Sequence, residues 1–326
     1  MSISVLIRSL AAMLRHPGRV TRRFLTMSLG IERRSRELSI HWTPHLEASK
    51  SAQARWSRDA DGGCVSILGA GRLMDVNIEA LALRFARLHL VDADPLAESF
   101  WKKQAQHQSS SWQLADVSGC FEAWSDAIEK TAGDWNGVLS AVRDLPMSVP
   151  QSWSCAADAI ISLNLLSQIP VLWQDILEEI LRRKFGREQV RRREEEWLSA
   201  IEIPARWLVE QHLAMIHRSG ARRILIICDV EYAHYRGTES FPRSAYRPAP
   251  VRWDGIWMAD SGVTVEIEPA LYGIGPDSFP KWMPSYDLEW SESWLWHIAP
   301  QGLEETGCGM VHRVGAFAFR RTPVIP

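Results

Sequence analysis

Short apolar runs alternate with longer stretches of helical periodicity over most of the chain. Cys64–Leu68, Leu88–Val91, Ala159–Leu163 and Arg223–Cys228 are nearly continuous apolar runs without a polar face. Such runs predict strands buried on both sides, as in a parallel sheet covered by helices. Between them the period changes. Val76, Ile78, Leu81, Leu83 and Phe85 predict one helix; Leu96, Phe100 and Trp101 mark another over 96–108; a third spans Phe121–Ala132. Pro170 is expected to open an amphipathic helix through Trp173, Ile176, Leu177, Ile180, Leu181 and Phe185, and Pro204 another that runs to Arg218 and is capped by Gly220. A weaker strand is expected over 111–117. Residues 290–299 and 310–320 alternate with period two and predict an antiparallel hairpin at the sheet edge.

The ends and insertions differ in character. Residues 1–40 form a basic helical arm in which Arg8, Arg15, Arg19, Arg22, Arg23, Arg33, Arg34 and Arg36 face only Glu32 and Glu37. Pro17-Gly18 divides it. The arm suits packing on the domain or on a partner chain, and a basic amphipathic face also suits a membrane surface. A helix over 41–56 is expected to start at Thr43 as cap with Pro44 in the first turn. The arginines and glutamates of 182–196 read as a solvated helix face. Residues 233–289 hold seven prolines and one short strand, Val263–Ile267, and read as an insertion, a candidate substrate lid or partner surface. The domain proper is taken as 41–326.

The candidate chemistry lies where strands end. Cys64–Leu68 runs straight into Gly69-Ala70-Gly71, and the next strand closes on Asp92-Ala93-Asp94. Strand, glycine turn, helix, strand and acid form the arrangement that holds a nucleotide-like ligand at the carboxyl ends of parallel strands, with the acid accepting from both ribose hydroxyls. A third glycine is missing; Asp75 lies four residues after Gly71, which tells against NAD and FAD. Asp116 with Val117 ends the third strand, where the carboxylate can accept from an exocyclic amine or simply make a local turn before Gly119. Asn164 and Leu165 follow the strand Ala159–Leu163 and face the same crevice. Asp229, Tyr232 and His234 sit at or just beyond the end of the strand Arg223–Cys228.

Composition narrows the class only a little. The 326 residues are 46% hydrophobic and 23% charged, as in ordinary globular proteins, and the net charge of −2 gives no pull toward nucleic acid. Cys64, Cys120, Cys155, Cys228 and Cys308 show no paired spacing and read as reduced thiols of a cytoplasmic protein. No apolar run reaches the length of a membrane span. The 16 tryptophans serve either as core packing or as the lining of a cleft for a flat substrate.

Together these elements resemble the class I S-adenosylmethionine-dependent methyltransferases. The resemblance covers about 41–320 and rests on ILGAG at 67–71, LVDAD at 90–94, LADVSG at 114–119, DAIISLNLLSQIP at 158–170, the strand ending in Asp229 and the final hairpin. It implies an α/β, Rossmann-like, mostly parallel seven-stranded sheet with helices on both faces and an antiparallel C-terminal hairpin. It implies S-adenosylmethionine as cofactor; no acceptor signature of the DNA or RNA base methylating groups, such as a DPPY-like tetrapeptide, is present, so an unidentified small-molecule acceptor is expected. Gly69, Ala70 and Gly71 would line the methionine part; Asp92 with Ala93 would hold the ribose; Asp116 and Val117 would frame the adenine; Asn164 and Leu165 would border the sulfonium. The family places an acid two residues before the first glycine. Here that residue is Ile67, so Asp75 is the candidate for the cofactor's ammonium end. Asp229, Tyr232 and His234 are the candidate catalytic groups. Two other classes stay open: a non-catalytic protein that keeps the fold for binding, which Ile67 favours, and a nicotinamide-dependent oxidoreductase, which the missing third glycine and the absent Tyr-x-x-x-Lys disfavour. Oligomeric state has no signature.

Overall fold

The computed structural model describes residues 19–60, 62–104, 109–147, 157–237, 251–253, 257–259, 263–300 and 308–323. Residues 1–18 of the basic arm, Cys155 and part of the proline-rich insertion lie outside them. The described helices, in chain order, are α1 (Arg19–Glu37), α2 (Ser39–Ser57), α3 (Ile78–Ala82), α4 (Ala97–Gln104), α5 (Phe121–Lys130), α6 (Trp135–Arg143), α7 (Leu165–Phe185), α8 (Arg187–Arg192), α9 (Glu194–Arg218) and the single turn α10 (Phe279–Trp282). Among the described residues no helix is long and apolar enough to cross a membrane.

Strand β1 (Cys64–Leu68) lies parallel to β2 (Arg87–Asp92) on one side and to β4 (Ala159–Leu163) on the other. β3 (Ser110–Leu114) extends the sheet beyond β2, and β5 (Arg223–Gly237) beyond β4. Two ribbon strands, β6 (Val251–Trp253) and β7 (Trp257–Ala259), pair antiparallel with each other. β8 (Val263–Pro269) runs antiparallel to the outer half of β5. The closing hairpin is β9 (Tyr286–Ala299) and β10 (Cys308–Arg321), with β10 inserted antiparallel between β5 and β9. The main path is therefore β3-β2-β1-β4-β5-β10-β9, seven strands, with β8 as an eighth beside it. Chain order reverses between β1 and β4. A crevice opens at such a point, because the connections from the two strands leave in opposite directions.

Helices cover both faces, as the apolar runs require. On one face α5, α6, α7 and α9 bury Trp124, Val138, Trp173, Trp197 and Val209 against Ile160, Ile224, Ile226 and Cys228. On the other, α2 to α4 bury Trp42, Trp56, Leu81 and Trp101 against Val65, Ile67, Ile161, Leu225 and Ile227. Many tryptophans thus serve the core: Trp56, Trp101, Trp124, Trp173 and Trp197 are all essentially inaccessible. Trp173 packs edge-on to Trp124 at 5.1 Å and stacks on Phe121 at 6.2 Å.

Three expected boundaries move. α2, α7 and α9 each begin before the proline expected near their start, and Pro44, Pro170 and Pro204 lie inside the helices. A proline there removes the donor for the carbonyl four residues back. Burial of the flanking turns compensates, because Leu38 and Trp42, Leu166 and Ile169, and Ile201 and Ala205 are all core residues. Near Pro44, Thr43 does not cap; its hydroxyl donates back to the Ser39 carbonyl at 2.7 Å. The larger correction concerns β5. It does not end near Asp229 but continues to Gly237, with β8 on the edge that β4 has left.

Truncating Trp173 to alanine removes a large ring from a packed cluster. The expected cost is about 3–5 kcal/mol, seen as a lower urea midpoint with an unchanged m-value.

Candidate functional site

The turn after β1 is tied down on two sides. Gly69 and Gly71 have φ of 79° and 46°, and Leu73 takes 62°. A Cβ on Gly69 would lie 2.4 Å from the Leu163 carbonyl oxygen of β4, so only glycine lets the two strand ends meet. The Gly69 and Ala70 amides donate to the Val91 carbonyl at 2.9 and 3.2 Å. The Gly71 amide donates to Asp92 Oδ2 at 2.7 Å, the Asp94 amide to Asp92 Oδ1 at 2.7 Å, and the Trp101 indole to the Gly71 carbonyl at 2.7 Å. Asp92 therefore stands over the turn with both oxygens engaged from the protein side. Each retains a lone pair for an outside donor.

Asp75 reaches the same crevice from the loop before α3. The Asn164 side-chain amide donates to Asp75 Oδ2 at 2.9 Å, and Asn164 itself sits in the left-handed region at φ 56°. The loop is fixed from α2, where Gln53 donates to the Asp75 carbonyl at 2.6 Å and accepts from the Asn77 amide at 2.9 Å. Asn164 Oδ1 is buried without a hydrogen-bond partner among the described residues. Among the described residues no lysine or arginine nitrogen lies within ion-pair distance of Asp75 or Asp92. Desolvation pushes both carboxyls up to about 6, for Asp92 with added repulsion from Asp94 and for Asp75 against a weaker pull from the Lys50 charge.

Asp116 makes a local turn. It accepts from the Ser118 amide at 2.9 Å, the Ser118 hydroxyl at 2.7 Å and the Phe121 amide at 3.4 Å, which satisfies the start of α5. Val117 is buried in the same apolar cluster as Val20 of α1. Leu165, the first residue of α7, packs at the Gly69 turn.

Helix α1 reaches the loops after β1 and β2. Ser28 donates to Asp94 Oδ2 at 2.5 Å, Arg72 donates to Ser28 at 2.9 Å and to Glu32 at 2.7 Å, and Arg23 pairs with Asp175 of α7 at 2.7 Å. The Arg72 guanidinium also lies 4.8 Å from the Phe100 ring centroid. A cleft of about 580 Å³ opens beside Arg72, lined by Glu32, Lys50, Leu73, Asn77, Glu79 and Phe100 among others. It does not reach Gly69, Asp92 or Asp116.

The candidate catalytic groups separate. His234 is on the β8 side, 3.0 Å from exposed Glu268. Asp229 and Tyr232 share a different neighbour, His312 of β10. A bulge leaves Val230 unpaired, so that Asp229 faces Val314 and Tyr232 faces His312 in the register. Three residues apart, the two side chains would point to opposite faces in a regular strand; the bulge brings them to one face. Asp229 Oδ1 lies 3.1 Å from His312 Nδ1, out of line for a linear hydrogen bond, and the Tyr232 ring centroid is 4.4 Å from the imidazole. Ser167 of α7 donates to Asp229 Oδ2 at 2.9 Å. His45 of α2 stacks on Trp296 at 4.1 Å, and Trp296 meets His312 edge-on at 5.5 Å. Burial pushes the Asp229 carboxyl up, but His312, Ser167 and His45 outweigh it and hold it below the usual carboxylate range. Burial also lowers His45 to about 4. Ser167, His45 and His312 were absent from the sequence-based candidates. The available signal for His312 was a titratable residue, with Arg313 beside it, inside the mostly apolar run Met310–Phe319.

This strand path with its antiparallel last strands is an α/β, Rossmann-like fold, the one that the sequence resemblance to the class I S-adenosylmethionine-dependent methyltransferases implied. No protein-family model matches the sequence, and no curated protein matches it either. Solved structures similar to the chain include the 1,6-didemethyltoxoflavin-N1-methyltransferase of Burkholderia thailandensis with bound 1,6-didemethyltoxoflavin and S-adenosylhomocysteine (11% identity, 85% of this chain and 79% of that one, TM-score 0.34). They also include an S-adenosylmethionine-dependent methyltransferase of Clostridium acetobutylicum (7% identity, 86% and 90%, TM-score 0.35) and the YcgJ protein of Bacillus subtilis (8% identity, 85% and 100%, TM-score 0.39).

The raised carboxyl of Asp92 sets a pH signature. A folded-state value near 6 against an ordinary 3.8 means that the folded protein holds the proton longer than the unfolded chain. This contribution to stability is greatest below pH 4, falls as pH rises to about 6 and is flat above. Asp92→Asn removes that slope. The variant should gain stability relative to wild type by about 1–3 kcal/mol on going from pH 4 to pH 7, measured by urea unfolding at both values.

Proposed function

We propose that the chain is an S-adenosylmethionine-dependent methyltransferase acting on a small-molecule acceptor. The observation that carries this is the pair Asp75 and Asp92, half-buried at the switch point with no ion-pair partner among the described residues and flanking a turn that only glycine can make. An uncompensated buried carboxylate is costly, so its retention at a crevice fits a ligand that supplies the missing donors and positive charge. Asp92 would accept from the two ribose hydroxyls beside Ala93. Asp75 and the unpartnered Asn164 Oδ1 would receive the α-ammonium group, taking the place of the acid that Ile67 replaces. Gly69, Ala70 and Gly71 would run along the methionine chain, Leu165 would border the sulfonium, and Val117 and the backbone at Asp116 would frame the adenine. Asp116 itself is committed to its helix start, which favours the local-turn reading of its side chain.

When bound, the cofactor supplies an electrophilic methyl group. The chain's own residues then have to align an acceptor with that methyl, exclude water and take a proton where the acceptor carries one. Ser28, Glu32 and Arg72 would close the crevice from α1 by holding Asp94 and the loop after β1.

Calorimetric titration with S-adenosylhomocysteine tests the reading. Micromolar binding is expected at pH 7.5, weakened at least tenfold by Asp92→Ala in a protein whose circular dichroism is unchanged. Because Asp92 and Asp75 must be ionised to accept, affinity should fall as pH drops below about 6, by about tenfold per unit for one group. Absence of binding at millimolar ligand, or equal affinity in Asp92→Ala, would remove the proposal. In that case the non-catalytic reading would take its place.

A further inference from the structure

The far end of the sheet, where β1, β4 and β5 begin and β10 ends, carries a cavity of its own. It holds about 540 Å³ and is lined by four arginines, Arg222, Arg223, Arg320 and Arg321. The acids in its wall are Asp59 and Asp158, and Ala60, Phe85 and Pro323 give it an apolar side. In the antiparallel register Arg223 stands directly opposite Arg320, and the Arg321 amide donates to the Arg222 carbonyl. Like charges set opposite each other across such a pair repel. The described acids answer this only in part. Glu289 of β9 serves both Arg223, at 3.4 Å, and Arg320. Asp158 takes Arg222 at 3.3 Å and the Cys64 amide at 2.8 Å. Arg321 donates to the Gly220 carbonyl at 3.0 Å and has no carboxylate within ion-pair distance among the described residues. The Arg223 side chain is 12% exposed, and its Nε and Nη1 are buried with no hydrogen-bond partner among the described residues. A guanidinium so placed is costly unless further negative charge comes close. With Glu289 behind the wall, four cations face three acids. Two groups further out offset each other: Asp287, which accepts from Thr322, and Arg87, whose charge reaches Cys64. A positive charge is left over at a concave site.

We propose that this cavity binds a phosphoryl group, free or carried on a small ester, at the end of the sheet remote from Gly69. Planar guanidinium forks arriving from two strands suit a tetrahedral oxyanion with three terminal oxygens better than a carboxylate with two. Arg222, Arg320 and Arg321 are exposed and supply the donors. Arg223, set deeper, supplies charge at short range. On an ester, the body of the ligand lies against Ala60, Phe85 and Pro323. The site shares no residue with the glycine turn, Asp75 or Asp92, and it does not depend on the methyl-transfer reading.

Calorimetric titration of the full chain with inorganic phosphate, phenyl phosphate and benzoate, at neutral pH and one fixed ionic strength, tests this. Saturable binding of both phosphates at one site per chain is expected. Phenyl phosphate tighter than inorganic phosphate assigns the site to an ester, and equal affinity assigns it to the free ion. Benzoate should bind weaker than phenyl phosphate by about fivefold or more; benzoate as tight as phenyl phosphate would overturn the phosphoryl assignment. Arg321→Gln should weaken phenyl phosphate by about fivefold or more. Arg22→Gln, at an exposed position of α1 away from the cavity, should change it by less than about twofold. Equal losses in the two variants would mean general attraction and an adventitious ion only, and no saturation of wild type by about 10 mM of either phosphate would equally remove the proposal. Should Arg321→Gln lose its native circular dichroism, Arg321→Lys, which keeps a charge and a donor for Gly220 but not the fork, should still weaken phenyl phosphate by about threefold. S-adenosylhomocysteine affinity should be the same in Arg321→Gln and wild type, so that the two sites stand or fall separately.

Discussion

The approach of the β1 turn to the end of β4 is the contact on which the rest of the site depends. Gly69 touches the Leu163 carbonyl closely enough that no side chain fits between them. This brings Gly71 under Asp92 and Leu165 against the turn. It also leaves Asn164, the next residue of the chain, in a left-handed conformation from which its amide reaches Asp75. A wider turn would separate the two carboxylates and uncouple the β1 and β4 ends. The crevice is thus defined by backbone proximity, and side chains only decorate it.

Electrostatics explains why the crevice remains strained. Four carboxyls, buried Asp94 and half-buried Asp75, Asp92 and Asp116, are all pushed up by desolvation. Arg72 offsets one of them and is itself shared with Glu32 and Ser28 of α1. Asp116 is satisfied by its own helix start. The remaining pair is answered by amide donors, with a pull on Asp75 from the Lys50 charge. Stability would favour neutral side chains at both positions, which is the pattern expected of groups kept for a ligand.

The same sheet carries a second polar group of opposite design. Around Asp229 the balance favours ionisation, because a histidine and a hydroxyl face it where Asp92 has only amides and a neighbouring carboxylate. Two aspartates, both at the carboxyl side of the sheet, thus differ in titration because of what packs against them. The bulge at Val230 makes the difference by turning Asp229 toward β10. Without it, Tyr232 and Asp229 would serve opposite layers of the core.

The residues along the chain determined the fold class and the strand-end acids. Continuous apolar runs, period changes and the Gly69–Gly71 turn are local, and each needs only its own few residues to be read. The three helix starts misplaced at proline show the limit of local rules, since buried flanks offset the lost hydrogen bonds. The extension of β5 to Gly237 depended on β8 arriving at a free edge, which no property of Asp229–Gly237 announces. The meeting of Ser167, Asp229 and His312 joins residues up to 145 positions apart through one bulge and one inserted strand. Only the tertiary structure decides such a meeting, because register between distant strands is set by the packing of whole faces and not by the side chains that the register brings together.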